Sequence, residues 1–395
     1  MRWERKQGRG IPLILFVLLG LFSGCVSPEN KLKPELPVEL PPSEKVGSVE
    51  VGESADDSIV PVAVVPGSPV VRHGDEIVVA GQLFRTGNPV VLWLDENGYD
   101  GYRVERRYAE FTEADWKSSA AANSALTTPN RYSLRSATLT AAEKEDRRSG
   151  SWNLTELQEV VDQLILHYDV SGTSRQCFER LHDDRGLSIH FMIDVDGTIY
   201  QTLDLKEKAW HATFANSRSV GIEIAHMGAY PDPEHAVLER WYDVSAEEGA
   251  KLTIPEEAHP NSVMNLDYSE RPARKDIISG EINGQQLWQY DFTEEQYRAL
   301  AHLAATLHVV FPRMTLDFPR DAGGELLLNT FSKSEWEQFS GLLGHYHVQT
   351  NKIDPGPATQ WERIVREARA LLGQPLETPP TPAEESSPEP SSENL

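Results

Sequence analysis

Cysteine is almost absent from these 395 residues: Cys25 and Cys177 are the two that occur. A disulfide framework needs more. The chain must therefore be held by an apolar core, and it is long enough for one large domain or two. Positive charge is also scarce, with 37 Lys and Arg against 61 Asp and Glu and a net charge of −24. That excludes a nucleic-acid partner, because binding a polyphosphate rests on clustered Lys and Arg. Long apolar runs are missing too. The N-terminal stretch Ile11 to Phe22 is too short to span a bilayer comfortably, and no internal repeat is visible.

What the N-terminus does hold is an address. Arg2, Arg5, Lys6 and Arg9 precede the apolar stretch and Ser23-Gly24-Cys25 follow it, the anatomy of a secretory signal peptide over residues 1–24. Small residues before a cysteine resemble the lipobox of bacterial lipoproteins, which makes Cys25 the lipidated first residue of the mature chain. Phe22 departs from the Leu usual three residues before that cysteine. An ordinary cleaved signal or an uncleaved anchor is the alternative, and every one of these readings exports the protein. The expected location is a membrane-anchored lipoprotein facing the periplasm or cell wall, on the outer membrane in a Gram-negative cell.

Residues 25–74, rich in Pro, Glu, Ser and Val, read as a disordered tether. Residues 75–111 read as a small β module with strands at Glu76 to Ala80, Pro89 to Asp95 and Tyr102 to Tyr108, the last two joined at Asn97-Gly98. Its aromatics Trp93, Tyr99 and Tyr102 are expected to pack in preference to stacking on sugars. Residues 112–152 form a polar connector without a catalytic motif. From 153 to 372 the pattern sharpens into one domain. Thr155 caps a short helix through Val161, Gln163 to Tyr168 is a strand, and Ser174 to Leu181 is a helix. Ser188 to Asp194 and Thr198 to Leu203 make a hairpin at Asp196-Gly197, and Ser219 to Ala225 is another strand. Residues 227–290 are an insertion over one face. Asp291 to Val310 is the strongest helix, with Thr293 and Gln296 as its capping box. Ser332 to Ser340 and Ala358 to Leu372 are further helices, and residues 373–395 are a disordered tail. Strands interleaved with helices indicate an α/β domain whose sheet is covered by helices.

Two stretches concentrate the chemistry, Leu164 to Asp169 (LILHYD) and Gly344 to Pro357 (GHYHVQTNKIDPGP). They offer His167, His345 and Asp354, and two imidazoles with one carboxylate suit a zinc ion that keeps a position open for water. His347 competes with His345, since a strand there would send both to the same face. Glu223 stands between isoleucines, where an unpaired structural carboxylate would be costly. Cys177 with His182 could suggest a thiol nucleophile, but helical spacing beside Phe178 and Leu181 favours a half-buried structural cysteine.

Ordered blocks then point to a family: LILHYD, Ser188 to Ile193 (SIHFMI), Asp196 to Thr202 (DGTIYQT), Ala209 to Ala212 (AWHA), Asn216 to Glu223 (NSRSVGIE), and Gly344-His345 with Lys352 to Pro357 (KIDPGP). The series resembles the zinc-dependent N-acetylmuramoyl-L-alanine amidases of the type 2 family, which share their fold with peptidoglycan recognition proteins. The resemblance covers about Asn153 to Leu372 apart from the insertion. It implies a central mixed β-sheet flanked by helices, and a peptidoglycan or muropeptide substrate. It makes His167, His345 and Asp354 the zinc ligands, Glu223 the acid-base group and Lys352 the group that steadies the oxyanion. It makes His211 and Asn216 substrate-binding residues, with Asn216 otherwise holding its loop, and His190 structural. Thr213 stands where relatives usually have Gly. The alternatives are a peptidoglycan-binding module without catalysis and a zinc peptidase acting on the stem peptide. A further possibility is that the insertion blocks the cleft and an activator is needed.

Overall fold

Uninterrupted apolar runs become the middle of a sheet. A computed structural model describes residues 66–122, 128–136, 139–150 and 152–374. The signal peptide, Cys25, most of the tether and the tail after 374 lie outside the described residues.

In chain order, β1 (Glu76–Val79), β2 (Gln82–Arg85) and β3 (Val90–Leu92) precede α1 (Trp116–Ala122), β4 (Tyr132–Leu134) and α2 (Ala141–Gly150). Next come α3 (Leu154–Gln158), β5 (Gln163–Tyr168), α4 (Ser174–Phe178), β6 (Phe191–Ile193), β7 (Ile199–Gln201), β8 (Glu207–Ala209) and β9 (Ser219–Ile224). The insertion holds α5 (Ala236–Trp241), β10 (Tyr242–Asp243), β11 (Lys251–Leu252), β12 (Ile278–Ile282) and β13 (Gln285–Gln289). The chain continues with α6 (Glu294–Val310), α7 (Lys333–Gln338), β14 (Gly341–Gly344), α8 (His345–Val348) and α9 (Trp361–Leu371).

The central sheet is mixed and six-stranded, in the order β14-β5-β9-β6-β7-β3. β14, β5, β9 and β6 run parallel, β7 turns back antiparallel to β6, and β3 lies parallel to β7 at the edge. Parallel strands buried on both faces need near-continuous apolar sequence, and β5 (QLILHY) is buried throughout. Alternation then sorts the side chains between faces. Leu164, Leu166 and Tyr168 of β5 and Val220, Ile222 and Ile224 of β9 share a core with Tyr297, Leu300 and Leu307 of α6 and Ile364 and Val365 of α9. Ile165 packs on the opposite side with Leu343, Ala212 and Ala215. His167 and Glu223, paired in register across β5 and β9, therefore face away from α6 and α9. Helices thus flank a central mixed sheet.

Several local expectations differ from the structure. Residues 102–108 form no strand; with Val104 as their one aliphatic residue among Arg103, Glu105, Arg106 and Arg107, they have no apolar face to bury. Tyr102 instead packs against Trp93 and Tyr132, and Tyr99 is buried between Phe178 and Tyr200. The N-terminal β segment supplies the hairpin of β1 and β2, while β3 runs into the central sheet. Buried Gln201 bonds both ways with the backbone of Val78, and the Asp204 carboxylate accepts from the amides of Ala80 and Gly81. The cap of α3 is Asn153, not Thr155, because Asn153 finds Glu156 at the third helical position to complete a capping box. The box of Thr293 and Gln296 is present at α6.

Candidate active site and metal centre

Ligands of an open α/β sheet collect at the carboxyl ends of its strands. His167 is the penultimate residue of β5, Glu223 the penultimate residue of β9, and His345 follows the last residue of β14. Strand β14 does not continue through His347: the chain turns into α8 at His345. On a helix, residues two apart point to nearly opposite sides, so the two histidines separate. His347 is fully buried, accepting from the Gly344 amide and donating to the Leu327 carbonyl, both at 2.8 Å.

The structure brings His167, His345 and Asp354 together. The Nδ1 atoms of His167 and His345 lie 3.0 Å apart, and each lies 2.9 Å from Oδ2 of Asp354. The hydrogen-bond chain behind them decides the tautomers. The Ser219 hydroxyl donates to the Ala215 carbonyl at 2.9 Å, so at its 3.2 Å contact with His211 the imidazole Nε2–H must donate. His211 Nδ1 then accepts from His167 Nε2–H at 3.0 Å, which leaves a lone pair on His167 Nδ1. On the other side, His345 Nε2–H donates to Gln349 Oε1 at 2.7 Å, freeing its own Nδ1. Two imidazole lone pairs and a carboxylate oxygen thus converge on one point. That donor set, with each ring fixed from behind by a second group, fits a zinc ion.

Electrostatics agrees with a neutral His167 ring. Burial and the neighbouring His345 lower His167 to about 4. Burial pushes Asp354 upward, and protons on the His345 and His167 Nδ1 atoms, in the place a metal ion would take, hold the carboxyl well below the usual range. Glu223 is raised well above its ordinary value by burial and by the Asp169 and Asp354 carboxylates, and its Oε2 has no hydrogen-bond partner among the described residues.

Glu223, His211 and Lys352 line the same cleft as the three candidate ligands, a cavity of about 340 Å³. His211 sits behind His167 with both nitrogens engaged, so as the ring stands neither is free to bond a substrate. Its approach to the sheet needs Gly221, where a Cβ would meet the His211 ring at 2.6 Å. Asn216, also expected to touch substrate, does not line the cleft. Its Oδ1 accepts from the amides of His211 and Ala212 at 3.2 and 2.6 Å, so it holds the loop that carries His211. In that loop Thr213 has φ +49, the left-handed conformation that suits Gly and strains a β-branched residue. His190 is buried, accepts from the Gly221 amide and lies 3.0 Å from the Glu207 carbonyl, a structural place. Cys177 is buried with its thiol raised by burial, which disfavours a thiolate.

No residue of the insertion lines the cleft. The insertion abuts the cleft walls from outside. Thr173 and Gln176, in the segment forming one wall, donate to the carbonyls of Ala258 and Glu257. On the other wall, the β12–β13 hairpin turns at Asn283-Gly284, both with positive φ. Asn283 Nδ2 donates to the Lys352 carbonyl at 3.0 Å while its Oδ1 accepts from Thr330 N at 2.9 Å. Gln289, fully buried on β13, donates to the Pro355 carbonyl and accepts from Ala358 N, both at 3.0 Å. These holding residues escaped the sequence reading, as did Gln349. The Asn-Gly pair is a hairpin signal, but nothing in the sequence says what the hairpin touches.

No curated protein matches the chain. Similar solved structures include an endolysin N-acetylmuramoyl-L-alanine amidase, LysCS, from Clostridium intestinale, at 16% identity over 55% of this chain and 88% of that chain, with a TM-score of 0.28. AmpD, solved as a selenomethionine derivative, is 16% identical over 61% of this chain and 89% of that chain, with a TM-score of 0.27. AmiD from E. coli, in complex with the substrate anhydro-N-acetylmuramic acid-L-Ala-D-gamma-Glu-L-Lys, is 16% identical over 52% of this chain and 57% of that chain, with a TM-score of 0.30. Residues 157–278, which carry His167, His211, Asn216 and Glu223 but stop short of His345, Lys352 and Asp354, match the family of N-acetylmuramoyl-L-alanine amidases.

Proposed function

We propose that the chain is a zinc-dependent hydrolase that cleaves the amide bond between the lactyl group of N-acetylmuramic acid and L-alanine in peptidoglycan or muropeptides. The observation that carries this reading is the convergence of the His167 and His345 Nδ1 lone pairs with Asp354 Oδ2. The family match over residues 157–278 supports the choice of bond. Bound by these residues, zinc would supply a Lewis-acid charge that polarises the scissile carbonyl and makes water a stronger acid. Glu223 takes a proton from the attacking water and delivers it to the departing amine of L-alanine as the C–N bond breaks. Its raised pKa suits both halves of that exchange. The Lys352 ammonium, in the same cleft, offsets the negative charge that develops on the carbonyl oxygen.

The signal peptide and Cys25 add a location to this reading: export, and a lipid anchor that holds the enzyme on a membrane facing the periplasm or wall. The tether lets the domain reach wall material, which suits remodelling or turnover. The test is digestion of purified sacculi and of soluble muropeptides, with and without chelator, read by mass spectrometry. The expected products are peptides beginning at L-alanine and sugars freed of peptide, formed without chelator alone. Cleavage inside the stem peptide would replace the amidase reading with a peptidase, and wall binding without any cleavage would remove both.

A further inference from the structure

Two fully buried arginines flank β4, Arg131 immediately before the strand and Arg135 immediately after it. Both belong to the connector, ahead of the family-matched segment. Burying a guanidinium is costly unless hydrogen bonds replace the water it gives up, and an apolar side chain would fill the same space without that cost. What each arginine grips therefore explains its presence.

The antiparallel pairing of β4 with β8, Tyr132 opposite Ala209 and Leu134 opposite Glu207, anchors the strand that delivers Arg135. Its Nε donates to the Leu205 carbonyl at 2.9 Å, and its Nη1 to the carbonyls of Asn216, Ser217 and Ser219 at 3.2, 3.2 and 2.9 Å. Nη2 lies 3.0 Å from Nε2 of His190. Carbonyls and a ring nitrogen are thus its partners, with no carboxylate among them. Burial lowers the guanidinium to about 9, so the charge persists near neutral pH. The carbonyls around Nη1 are those left over where the helical turn of residues 213–217 gives way to β9, a place that suits a cation.

That junction carries the two residues that aim His211. Asn216 Oδ1 accepts from the His211 amide, and the Ser219 hydroxyl, committed to the Ala215 carbonyl, obliges His211 to donate through Nε2. His211 Nδ1 is then left to accept from His167 Nε2–H. The ladder on β5 fixes the backbone of His167, but it does not choose which ring nitrogen carries the proton. His211 makes that choice, and the backbone behind His211 is held by Arg135.

We propose that Arg135 is a positioning residue of the metal site: by gripping Asn216 and Ser219 it keeps His211 in the tautomer and orientation that leave a lone pair on His167 Nδ1. The inference rests on the amidase reading and deepens it. It gives the connector a part in the site that no motif announces.

Zinc affinity of the full chain, measured against a chromophoric chelator, reads this without turnover. Arg135→Lys keeps the charge but cannot span the same carbonyls, and Ser219→Ala removes the hydroxyl that orients His211. Each should weaken zinc binding by roughly 10–100-fold. Because both act through His211, the double variant should be hardly weaker than the worse single one, whereas independent effects would multiply. Arg131→Lys is the control, since that side chain bonds the carbonyls of His182 and Val104 and none in residues 205–219. It should leave zinc affinity near wild type whatever it does to Tm. Histidine-selective nitrogen NMR of the zinc-loaded wild type needs no variant to fold, and it should find His211 protonated at Nε2. A proton on His211 Nδ1, wild-type zinc affinity in Arg135→Lys, or losses that multiply with Ser219→Ala would each overturn the proposal. Muropeptide cleavage is scored separately. Coupled losses of zinc without cleavage in the wild type remove the amidase reading and keep the role of Arg135, and cleavage with uncoupled losses does the reverse.

Discussion

The candidate site has two halves that are held by different means. His167 and Glu223 stand on adjacent parallel strands of the central sheet, paired in register, and the backbone ladder on both sides fixes where they point. Lys352 and Asp354 stand on a loop with no ladder of its own. That loop has backbone bonds from Tyr346 N to the Asp354 carbonyl and from Lys352 N to the Gln349 carbonyl, and beyond these it is held by side chains bonded to its backbone, Asn283 to the Lys352 carbonyl and Gln289 to the Pro355 carbonyl, both from the insertion. A sheet position is secured by a continuous ladder whose side-chain identities hardly matter, whereas this loop position rests on two backbone bonds and a few side chains that can be removed one at a time. The loop half should be the one whose precision depends on residues outside the cleft.

The largest expected effects ignore this difference. His167→Ala on the strand and Asp354→Ala on the loop each remove a ligand, and each should lower kcat/KM by about a thousandfold or more while abolishing stoichiometric zinc, since a Lewis acid contributes several kcal/mol to the barrier. Metal analysis and muropeptide turnover check both. Appreciable activity in Asp354→Ala would mean that the loop half is dispensable. Next in size is Glu223→Gln, which keeps the shape and removes the proton acceptor. It should cost roughly 10²–10⁴ in kcat with zinc content unchanged.

The comparison is sharpest at Asn283→Asp. Aspartate tolerates the left-handed turn and retains an acceptor for Thr330 N, but it has no N–H to give the Lys352 carbonyl. Loss of one such outer hydrogen bond typically costs roughly 10–100-fold in metal affinity or activity. The expected outcome is a fall of that size in kcat or in zinc affinity measured against a chromophoric chelator, with Tm nearly unchanged. Gln163→Leu is the strand-side counterpart, since it removes a side-chain bond to the Phe339 carbonyl at the far end of β5. Activity there should stay close to wild type, because the ladder still places His167. Equal losses in the two variants would erase the distinction between the halves.

The same contrast explains what was legible in the sequence. Strands β5 and β9 and helix α6 could be read from apolar runs and a capping box, because those signals are local and the core that answers them is continuous. The approach of His167 to His345 and Asp354 was not visible in spacing, since His345, 178 positions away, arrives through the register of β14 on β5 and Asp354, 187 positions away, arrives on a loop; the resemblance to a family supplied that pairing. The roles of Asn283 and Gln289 were out of reach, because they lie in the insertion, where the resemblance gives no guide, and act on a loop 66 to 69 residues away. Thr155 was mistaken for a cap because it stands close to a better one, Asn153, which the acidic residue at 156 selects.

The smallest expected effect on activity lies at His347, the histidine that spacing alone does not separate from His345 and the family resemblance sets aside. An extended chain would have put both on one face, and the start of α8 at His345 is what parts them. His347→Phe would keep the ring packing beside Tyr346 and Phe331 but strand two buried backbone groups, the Gly344 amide and the Leu327 carbonyl. An unsatisfied buried group costs about 1–3 kcal/mol, which lowers Tm by roughly several degrees in a domain of this size. Because Gly344 immediately precedes His345, any loosening would first reach the ligand through the backbone. The short helix that follows, tied by the bond from His345 to Gln349, should absorb it. Calorimetry should therefore show a lower Tm with zinc content and kcat near wild type, whereas loss of zinc at unchanged Tm would return His347 to the ligand set.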